Sequence, residues 1–436
     1  MKIISIRTST IVLLCTSVCI NIAAQHLSDI HRDSLKNTHH IIDFSNSNKE
    51  ANTDSIKAII EKFYYDQFRH SQNPNAPYFL FMSRDAGLTM GIGGAVRMRA
   101  YYDWDGAIAA PGFAPYLISM NRDVSNMKSI NTTPAGTCLF FRVIGNKKKL
   151  GNYQLYIEAN FDGYTARDFH LEKAYMIINN FTIGYANSTF SDPAALPQII
   201  DAQGPNNKIT PTNVLMRWMP RLGKKWIGAI SIETPTNQIT TDSLTTKSSS
   251  WLPDIATFLQ YEWDKYSHIR LSAIMRTLSY RNLNQNKNHN KIGWALMLSS
   301  VMRPTNYFTT YLTINYGHGY SSLGGDLMIG SYDLIPDNDN KGSLYAPASF
   351  GWCIGLQYNI LPNLFISTSF SHTRFLPKHN INPTEYRYGI CANINAFWNI
   401  TPRFLVGTEF DYGLRKNFNG NSQNAKRIGA VAQFSF

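Results

Sequence analysis

The segment from Arg427 to Phe436 reads RIGAVAQFSF and alternates between two faces. One face carries Ile428, Ala430, Ala432, Phe434 and Phe436, and the other carries Arg427, Gly429, Val431, Gln433 and Ser435. Successive side chains of a strand point to opposite sides of a sheet, so the pattern predicts a strand with one apolar and one mostly polar face. Such a strand, ending on an aromatic residue, is typical of a membrane β-barrel whose apolar face meets lipid.

Length and composition agree with a barrel. A chain of 436 residues is too long for one ordinary globular core, so a soluble protein of this length would have two or three domains by default. A membrane barrel is not bound by this limit, because it has no central core. The chain's 44% hydrophobic content and mean hydropathy of −0.24 also suit a barrel, in which only alternate residues touch lipid. After residue 24, no apolar run approaches the roughly 18 residues that a membrane helix needs.

The N-terminal region differs from the rest. Lys2 and Arg7 precede an apolar stretch and a small-residue site, which predicts a signal peptide over 1–24 cleaved after Ala24. We expect residues 25–76 to form a periplasmic segment that is flexible up to about residue 52. Apolar residues at helical spacing predict one helix at about 54–68. The barrel is expected to occupy 77–436.

Charge and cysteine content exclude several classes of protein. The formal charge of +12 falls to +10 without Lys2 and Arg7, because residues 1–24 contain no acid. A basic balance suits an acidic surface, an anionic solute or nucleic acid, and we expect no nucleic-acid partner for an exported chain. The expected mature chain keeps Cys138, Cys353 and Cys391. An odd number without a CxxC pair favours neither a disulfide framework nor a metal site, and no cofactor is expected.

The alternation predicts an all-β, 16-stranded antiparallel transmembrane barrel. Every second connection is short, whereas the longest of the others cover 105–136, 191–211, 235–252 and 317–349. Membrane barrels sort their connections in this way, which predicts an even number of strands and two periplasmic termini. The expected strands cover 88–104, 137–145, 150–162, 170–179, 181–190, 212–219, 225–234, 253–264, 267–280, 291–302, 306–316, 350–360, 363–373, 385–398, 402–415 and 425–436.

Arginine identifies the inner face of the wall. On the first strand, Arg97 and Arg99 alternate with Val96 and Met98, and an arginine facing lipid at mid-membrane would cost about 2–4 kcal/mol. The same parity places a polar set inside: Arg142, Gln154, Glu158, Arg217, Glu233, His268, Arg270, Arg276, Arg387, Asn393, Glu409 and Arg427. It places an apolar set outside: Ile269, Leu271, Leu356, Tyr386, Ile390 and Phe410.

These positions suggest where solutes would be selected. The candidate pore-lining residues are Arg97, Arg99, Tyr101, Asp103, Arg142, Arg217, Arg270, Arg276 and Arg387. Arginine keeps its charge and offers a planar donor fork that suits carboxylate or phosphate. The alternative is that carboxylates such as Glu158, Glu233 and Glu409 pair with the arginines and brace the wall.

The third outer loop, 191–211, is the candidate constriction loop, with Asp192, Pro193, Leu196, Ile199 and Asp201 as its key residues. Its apolar run is unusual for a loop in water, and folding inward would bury it and narrow a passage. A loop that packs on its surface neighbours, or that contacts another subunit, is the alternative.

No pattern predicts catalysis. The glycines of Gly91–Gly94 lie inside an alternating strand and lack the spacing and context of a nucleotide-binding loop. No HExxH or GxSxG motif is present. We therefore expect no catalytic residue, no metal site and no enzyme activity.

Several stretches resemble DcaP-like trimeric outer-membrane porins. They are 82–85 through 103–106, 133–137 with 141–143, 189–195, 345–348 and 432–436. The resemblance covers about 77–436. It implies a homotrimer in the bacterial outer membrane that passes small anionic solutes such as dicarboxylates. Members can carry an N-terminal coiled coil, whereas this segment is short and irregular.

Three hypotheses follow. The first is a passive porin for small anionic solutes, in contact with outer-membrane lipid. The second is a barrel for hydrophobic solutes plugged by its N-terminal segment, which would require apolar inward residues. The third is a closed barrel with a structural or adhesive role.

Overall fold

A computed structural model describes residues 40–43, 79–83, 87–108, 110–147, 151–162, 168–264, 266–378 and 381–436. The predicted signal peptide, 1–24, and the predicted helix, 54–68, lie outside these residues. Within the described ranges, no helix is long and apolar enough to cross a membrane.

Sixteen antiparallel strands form a closed barrel, as predicted. The last strand pairs with the first, from Lys426 opposite Trp104 to Ser435 opposite Ala95. In chain order the strands are β1 Leu88–Trp104, β2 Thr137–Lys147, β3 Gly151–Asp162, β4 Asp168–Ile178, β5 Phe181–Asn187, β6 Thr212–Trp218, β7 Trp226–Glu233, β8 Asp254–Glu262, β9 His268–Asn282, β10 Lys287–Met302, β11 Phe308–His318, β12 Ala348–Leu361, β13 Leu364–Leu376, β14 Tyr386–Asn399, β15 Phe404–Asn417 and β16 Ser422–Ser435.

The two faces of the wall follow the predicted parity. On β1, Val96 and Met98 are 52% and 49% exposed, whereas Arg99 between Met98 and Ala100 is only 7% exposed. The outward side chains form an apolar belt because lipid accepts them at no cost, while charged side chains turn inward. The interior of the barrel is therefore its polar side.

Connections are sorted by length between the two rims. Short turns such as 179–180 and 362–363 lie at one end, here called the short-turn rim. The segments 105–136, 188–211, 234–253 and 319–347 lie at the opposite, long-loop rim, where 283–286 and 418–421 are short exceptions. The long segments contain short 3-10 turns, at Pro115–Leu117, Val124–Asn126, Pro193–Ala195, Ser321–Leu323 and Asp326–Met328, and the short strands Ser129–Thr133, Thr245–Lys247, Ile335–Pro336 and Leu344–Tyr345.

Two further strands extend the sheet at the short-turn rim. Phe79–Met82 pairs with β1 along the same edge as β16, which ends where Phe436 and Gly94 exchange backbone hydrogen bonds. His40–Asp43 pairs in parallel with Phe79–Met82. Residues 40–43 thus form a strand within a segment that was expected to be flexible. Four residues are too few for a detectable period, and their partner lies far along the chain.

One predicted orientation was also wrong. Tyr386, expected to face lipid, is 0% exposed and lies on the inner side. An irregularity between Tyr386 and Tyr388 shifts the β14–β15 register by one residue, so Tyr386 opposes the inward-facing Asn417. A bulge reverses the alternation on which the prediction depended.

Candidate functional site: the lumen and its inserted loop

The segment 188–211, here called the lumen loop, lies inside the barrel. It leaves β5, follows the inner wall past β9 to β16, and returns to β6 through contacts with β13 and β11. Ser191 to Ala195 are buried, and Ala194 and Ala195 pack against Val301 and Tyr311 of the wall. The start of the apolar run, which would be unusual in a water-exposed loop, is thus covered by the inner face of the barrel.

Asp192 attaches the start of the loop to the wall. Its carboxylate lies 2.9 Å from Nε2 of His268 and accepts a 2.6 Å hydrogen bond from Oγ of Ser299. Arg270 approaches the same carboxylate at 3.5 Å and donates to the carbonyl of Ser191 at 3.0 Å. Burial alone would raise the pKa of Asp192, but the charges of Arg270 and His268 outweigh it and hold the pKa well below its usual value.

Ile200 attaches the middle of the loop. Its backbone N–H donates to Glu409 at 2.9 Å and to Asn395 at 3.2 Å, and its side chain packs against Phe397 and Val431. Its carbonyl accepts from Arg99 at 3.3 Å. Both backbone polar groups of a residue inside the barrel are therefore satisfied by the wall.

Asp201, the next residue, connects the loop to the seam at which β16 pairs with β1. The carboxylate of Asp201 accepts from the backbone N–H of Phe113 at 2.9 Å and from Arg427 at 3.3 Å. Arg427 also holds Asp103, and its guanidinium lies 4.1 Å from the centre of the Tyr101 ring. The lumen loop, the 105–136 loop and two strands meet at this one guanidinium.

The returning part of the loop contacts the 319–347 loop. Nδ2 of Asn206 donates to Asp326 at 3.3 Å, and the hydroxyl of Tyr386 donates to the same carboxylate at 2.8 Å. Asn207 donates to Thr313 of β11 at 3.0 Å. Burial raises the pKa of Asp326 to about 7, although these hydrogen bonds and Arg415 act in the opposite direction.

Burial differs between the two sides of the lumen. In the central parts of β6 to β16 the inward side chains are mostly buried, beneath the lumen loop and its neighbours. The inward faces of β1 to β5 keep more water-accessible surface. The partly exposed residues there include Arg97, Tyr101, Arg142, Gln154, Tyr156 and Tyr175, and those of the loop include Leu196, Gln198 and Ile199. The lumen surface that stays accessible to water is therefore mostly that between the lumen loop and β1 to β5, here called the open side.

Five of the arginines predicted to face inward fall into two groups. Arg97 and Arg142 lie on the open side and donate to Gln433 and Gln154 at 2.7 and 3.1 Å. Arg270, Arg276 and Arg427 are each 1% exposed. Arg276 pairs with Asp254 and Asp333, both at 3.1 Å.

Four predicted residues have other surroundings. Arg99 and Arg217 are buried and donate to backbone carbonyls, including those of Ala135 and Asn187. Arg387 lies in the β14 bulge at the long-loop rim, with its guanidinium 5.9 Å from the Phe418 ring. Asp103 is fully buried beneath Arg427.

The carboxylates of the 319–347 loop and the aromatic pair Tyr156 and Tyr175 were not predicted. Asp333 reaches Arg276 from the 319–347 loop, a contact that strand parity cannot show. Tyr156 and Tyr175 face inward with ring centres 5.3 Å apart, and Arg142 lies 6.0 Å from the Tyr156 ring. Their positions follow from the inward assignment of Glu158 and could have been found by extending it. No cluster suited to a metal ion occurs among the residues that the structure describes.

Comparisons by sequence give no match to a family model and none to a curated protein. Comparison of structures gives clear matches. The DcaP outer membrane channel of Acinetobacter baumannii superposes with a TM-score of 0.67 at 19% identity, over 80% of this chain and 98% of that one.

Two more distant barrels cover the same 80% of the chain and all of their own. An anion-selective porin from Comamonas acidovorans has a TM-score of 0.52 at 8% identity. A loop-deletion mutant of OmpT, an outer membrane protein of Vibrio cholerae, has a TM-score of 0.51 at 6% identity. At these identities the likeness concerns the fold, and the chain has the 16-stranded barrel fold of the DcaP channel.

Proposed function

We propose that this protein is a passive diffusion porin of a bacterial outer membrane that favours small anionic solutes, with dicarboxylate-like molecules as the class that its resemblance to DcaP-like porins implies. The observation that carries the proposal is the position of Arg97 and Arg142 on the open side of a polar lumen. The proposal involves no chemical step and puts both termini in the periplasm.

The electrostatic field on the open side would favour anions. A narrow passage with low-dielectric walls concentrates the field of its charged groups, so two guanidinium groups raise the local concentration of anions. Lys173 and Glu158 lie on the same side but are paired at 2.8 Å and largely offset each other. Arg99, Arg270 and Arg276 support the passage indirectly, because they hold the lumen loop and the 319–347 loop.

The lumen loop would set the width of the passage. Asp192 and Asp201 attach it to the wall, Pro193 is buried in its first turn, and Leu196 and Ile199 keep exposed surface. Leu196 and Ile199 would therefore form the edge opposite the arginines.

Planar-bilayer reversal potentials test the proposal. Replacing Arg97 and Arg142 together by Ala should lower the preference for chloride over potassium, because it removes two positive charges from the open side. Arg281→Ala is the matched control, since this arginine on β9 donates to Asn288 at the long-loop rim. An unchanged preference in the double variant, with the control also unchanged, would rule out this assignment.

A closed structural barrel is the second candidate, because so much of the inner wall is buried. Single-channel conductance separates the two: a porin gives discrete conductance steps and a closed barrel gives none. The proposal extends to a homotrimer, which light scattering of the detergent-solubilised protein would test.

A further inference from the structure

Three neighbouring turns bring positive charge together at the short-turn rim. The β6–β7 turn carries Arg221, Lys224 and Lys225, all exposed, and the backbone carbonyl of Lys225 accepts from Glu262 at 2.8 Å. Arg303 belongs to the β10–β11 turn, and its backbone N–H donates to Ser267 of the β8–β9 turn at 3.0 Å. These four cations, here called the basic turn cluster, thus lie on two turns that flank the β8–β9 turn. One of the two contacts Glu262 just before that turn, and the other contacts Ser267 within it.

The nearby carboxylates only partly offset this charge. Glu262 is engaged by Arg221 at 3.3 Å and by Gln260 at 2.8 Å, and its side chain is 13% exposed. Asp264 accepts from the backbone N–H of Tyr266 at 2.7 Å. Among the residues of these turns that the structure describes, four cations against two carboxylates leave a net positive surface.

An aromatic cluster adjoins these cations on the outer face of the barrel. Trp218, Trp226 and Trp263 are 46%, 43% and 38% exposed, and they are three of the eight tryptophans of the chain. Trp226 and Tyr261 have ring centres 4.9 Å apart. Amphipathic aromatic rings favour the level of the lipid headgroups, so this cluster marks the membrane boundary directly beside the basic turns.

Two contacts tie the cations to these aromatic rings. Nζ of Lys225 lies 5.9 Å from the centre of the Tyr261 ring, and the guanidinium of Arg303 lies 4.9 Å from the centre of the Tyr266 ring. Beyond the rings, Ile230, Ile232 and Leu259 continue the surface as exposed apolar side chains. Positive charge, interfacial aromatics and an apolar wall therefore follow one another from the rim toward the membrane centre.

We propose that the basic turn cluster and its aromatic neighbours bind an anionic phospholipid, with the phosphate at Arg221, Lys224 and Lys225 and the acyl chains along β7 and β8. This order of surfaces matches an anionic headgroup with chains attached. Free phosphate matches the cations alone, and it would gain nothing from Trp226, Trp263 or the apolar wall.

Native mass spectrometry tests the proposal on the full protein in detergent, with equal amounts of phosphatidylglycerol and phosphatidylcholine. The wild type should retain phosphatidylglycerol preferentially. Arg221→Gln, Lys224→Gln and Lys225→Gln combined should weaken that retention by at least about tenfold, because each basic residue near a headgroup contributes to the attraction. The matched control changes Arg122, Lys128 and Lys341 at the long-loop rim to Gln and should retain the lipid.

A second pair of variants separates lipid binding from loss of charge. Trp226→Leu with Trp263→Leu keeps every cation and should also weaken retention, whereas Trp294→Leu, an outward tryptophan on β10, should not. Heat-modifiable migration on gels confirms that each variant has folded. Equal retention by the charge variant and the wild type would overturn the proposal. So would displacement of phosphatidylglycerol by inorganic phosphate or by lipopolysaccharide at equal concentration.

Discussion

Arg427 of the last strand lies opposite Asp103 of the first and binds its two carboxylate oxygens at 2.6 and 3.0 Å. Both side chains are buried where β16 meets β1. The same guanidinium reaches Asp201 of the lumen loop at 3.3 Å. The position of the loop is thereby coupled to the closure of the barrel.

Arg427→Gln should strongly destabilise the barrel. The change leaves Asp103 buried without its cation, and breaking a buried ion pair in this way typically costs about 3–5 kcal/mol. The measurement is the urea midpoint of unfolding in detergent, read by the loss of heat-modifiable migration.

Lys426→Gln is the matched control for that experiment. Lys426 is the preceding residue and pairs with Asp105 at 2.6 Å, but this pair is exposed to water. Its loss should change the midpoint little, because exposed ion pairs contribute little. Equal effects of the two substitutions would contradict the importance of the buried seam.

The strands and their faces could be predicted because one energetic rule applies along the whole wall. An arginine cannot face lipid cheaply, so Arg97 and Arg99 fix the orientation of β1 and the alternation carries it onward. The pairing of β16 with β1 follows instead from the prediction of a closed barrel with an even number of strands. Tyr386 shows its limit, since one bulge reverses the parity without any mark in the local sequence.

The distribution of charge inside the lumen could not be predicted in this way. Arg270 and Arg276 were expected to line a passage, but Asp192 and Asp333 approach them from loops. Those aspartates are far from the arginines in sequence and have no periodic relationship to them. The apolar run at 194–200 did indicate that the loop needs a covering surface, because exposed loops seldom carry such a run.

Asp192→Ala should loosen the lumen loop. The substitution removes the acceptor of Ser299, leaves Arg270 without this carboxylate and leaves His268 without its 2.9 Å partner. Limited proteolysis should then cut within 188–211 at least about tenfold faster, since cleavage follows the population of locally opened molecules. In bilayers the same variant should show noisier current.

Asp242→Ala provides the comparison for Asp192→Ala. Asp242 is an exposed carboxylate in the 234–253 loop, and its contacts with Leu244 and Thr245 are local. It should leave cleavage within 188–211 unchanged. A lumen loop that is equally resistant in the wild type and in Asp192→Ala would show that Asp192 does not hold it.

Asp326 should make the packing of the loops depend on pH. One carboxylate oxygen, Oδ2, accepts hydrogen bonds from the hydroxyl of Tyr386 and the side-chain amide of Asn206. The other, Oδ1, is buried without a hydrogen-bond partner among the described residues. The pKa is about 7 in the folded protein against about 3.8 for the free side chain. The folded protein therefore binds the proton more tightly than the unfolded chain does.

The sign of the effect follows from proton linkage. The stabilising contribution of protonated Asp326 is fully present below about pH 4 and is lost as the pH rises through about 7. Between about pH 4 and pH 7, the free energy of unfolding of the wild type should thus fall by on the order of a few kcal/mol relative to that of Asp326→Asn. Asparagine keeps a similar shape and does not ionise. Urea unfolding of both proteins at pH 5, 6, 7 and 8 measures the difference, in which groups common to both cancel. Parallel pH profiles would show that Asp326 does not titrate in this range, whereas a gap that widens as the pH rises would identify it as the responsible group.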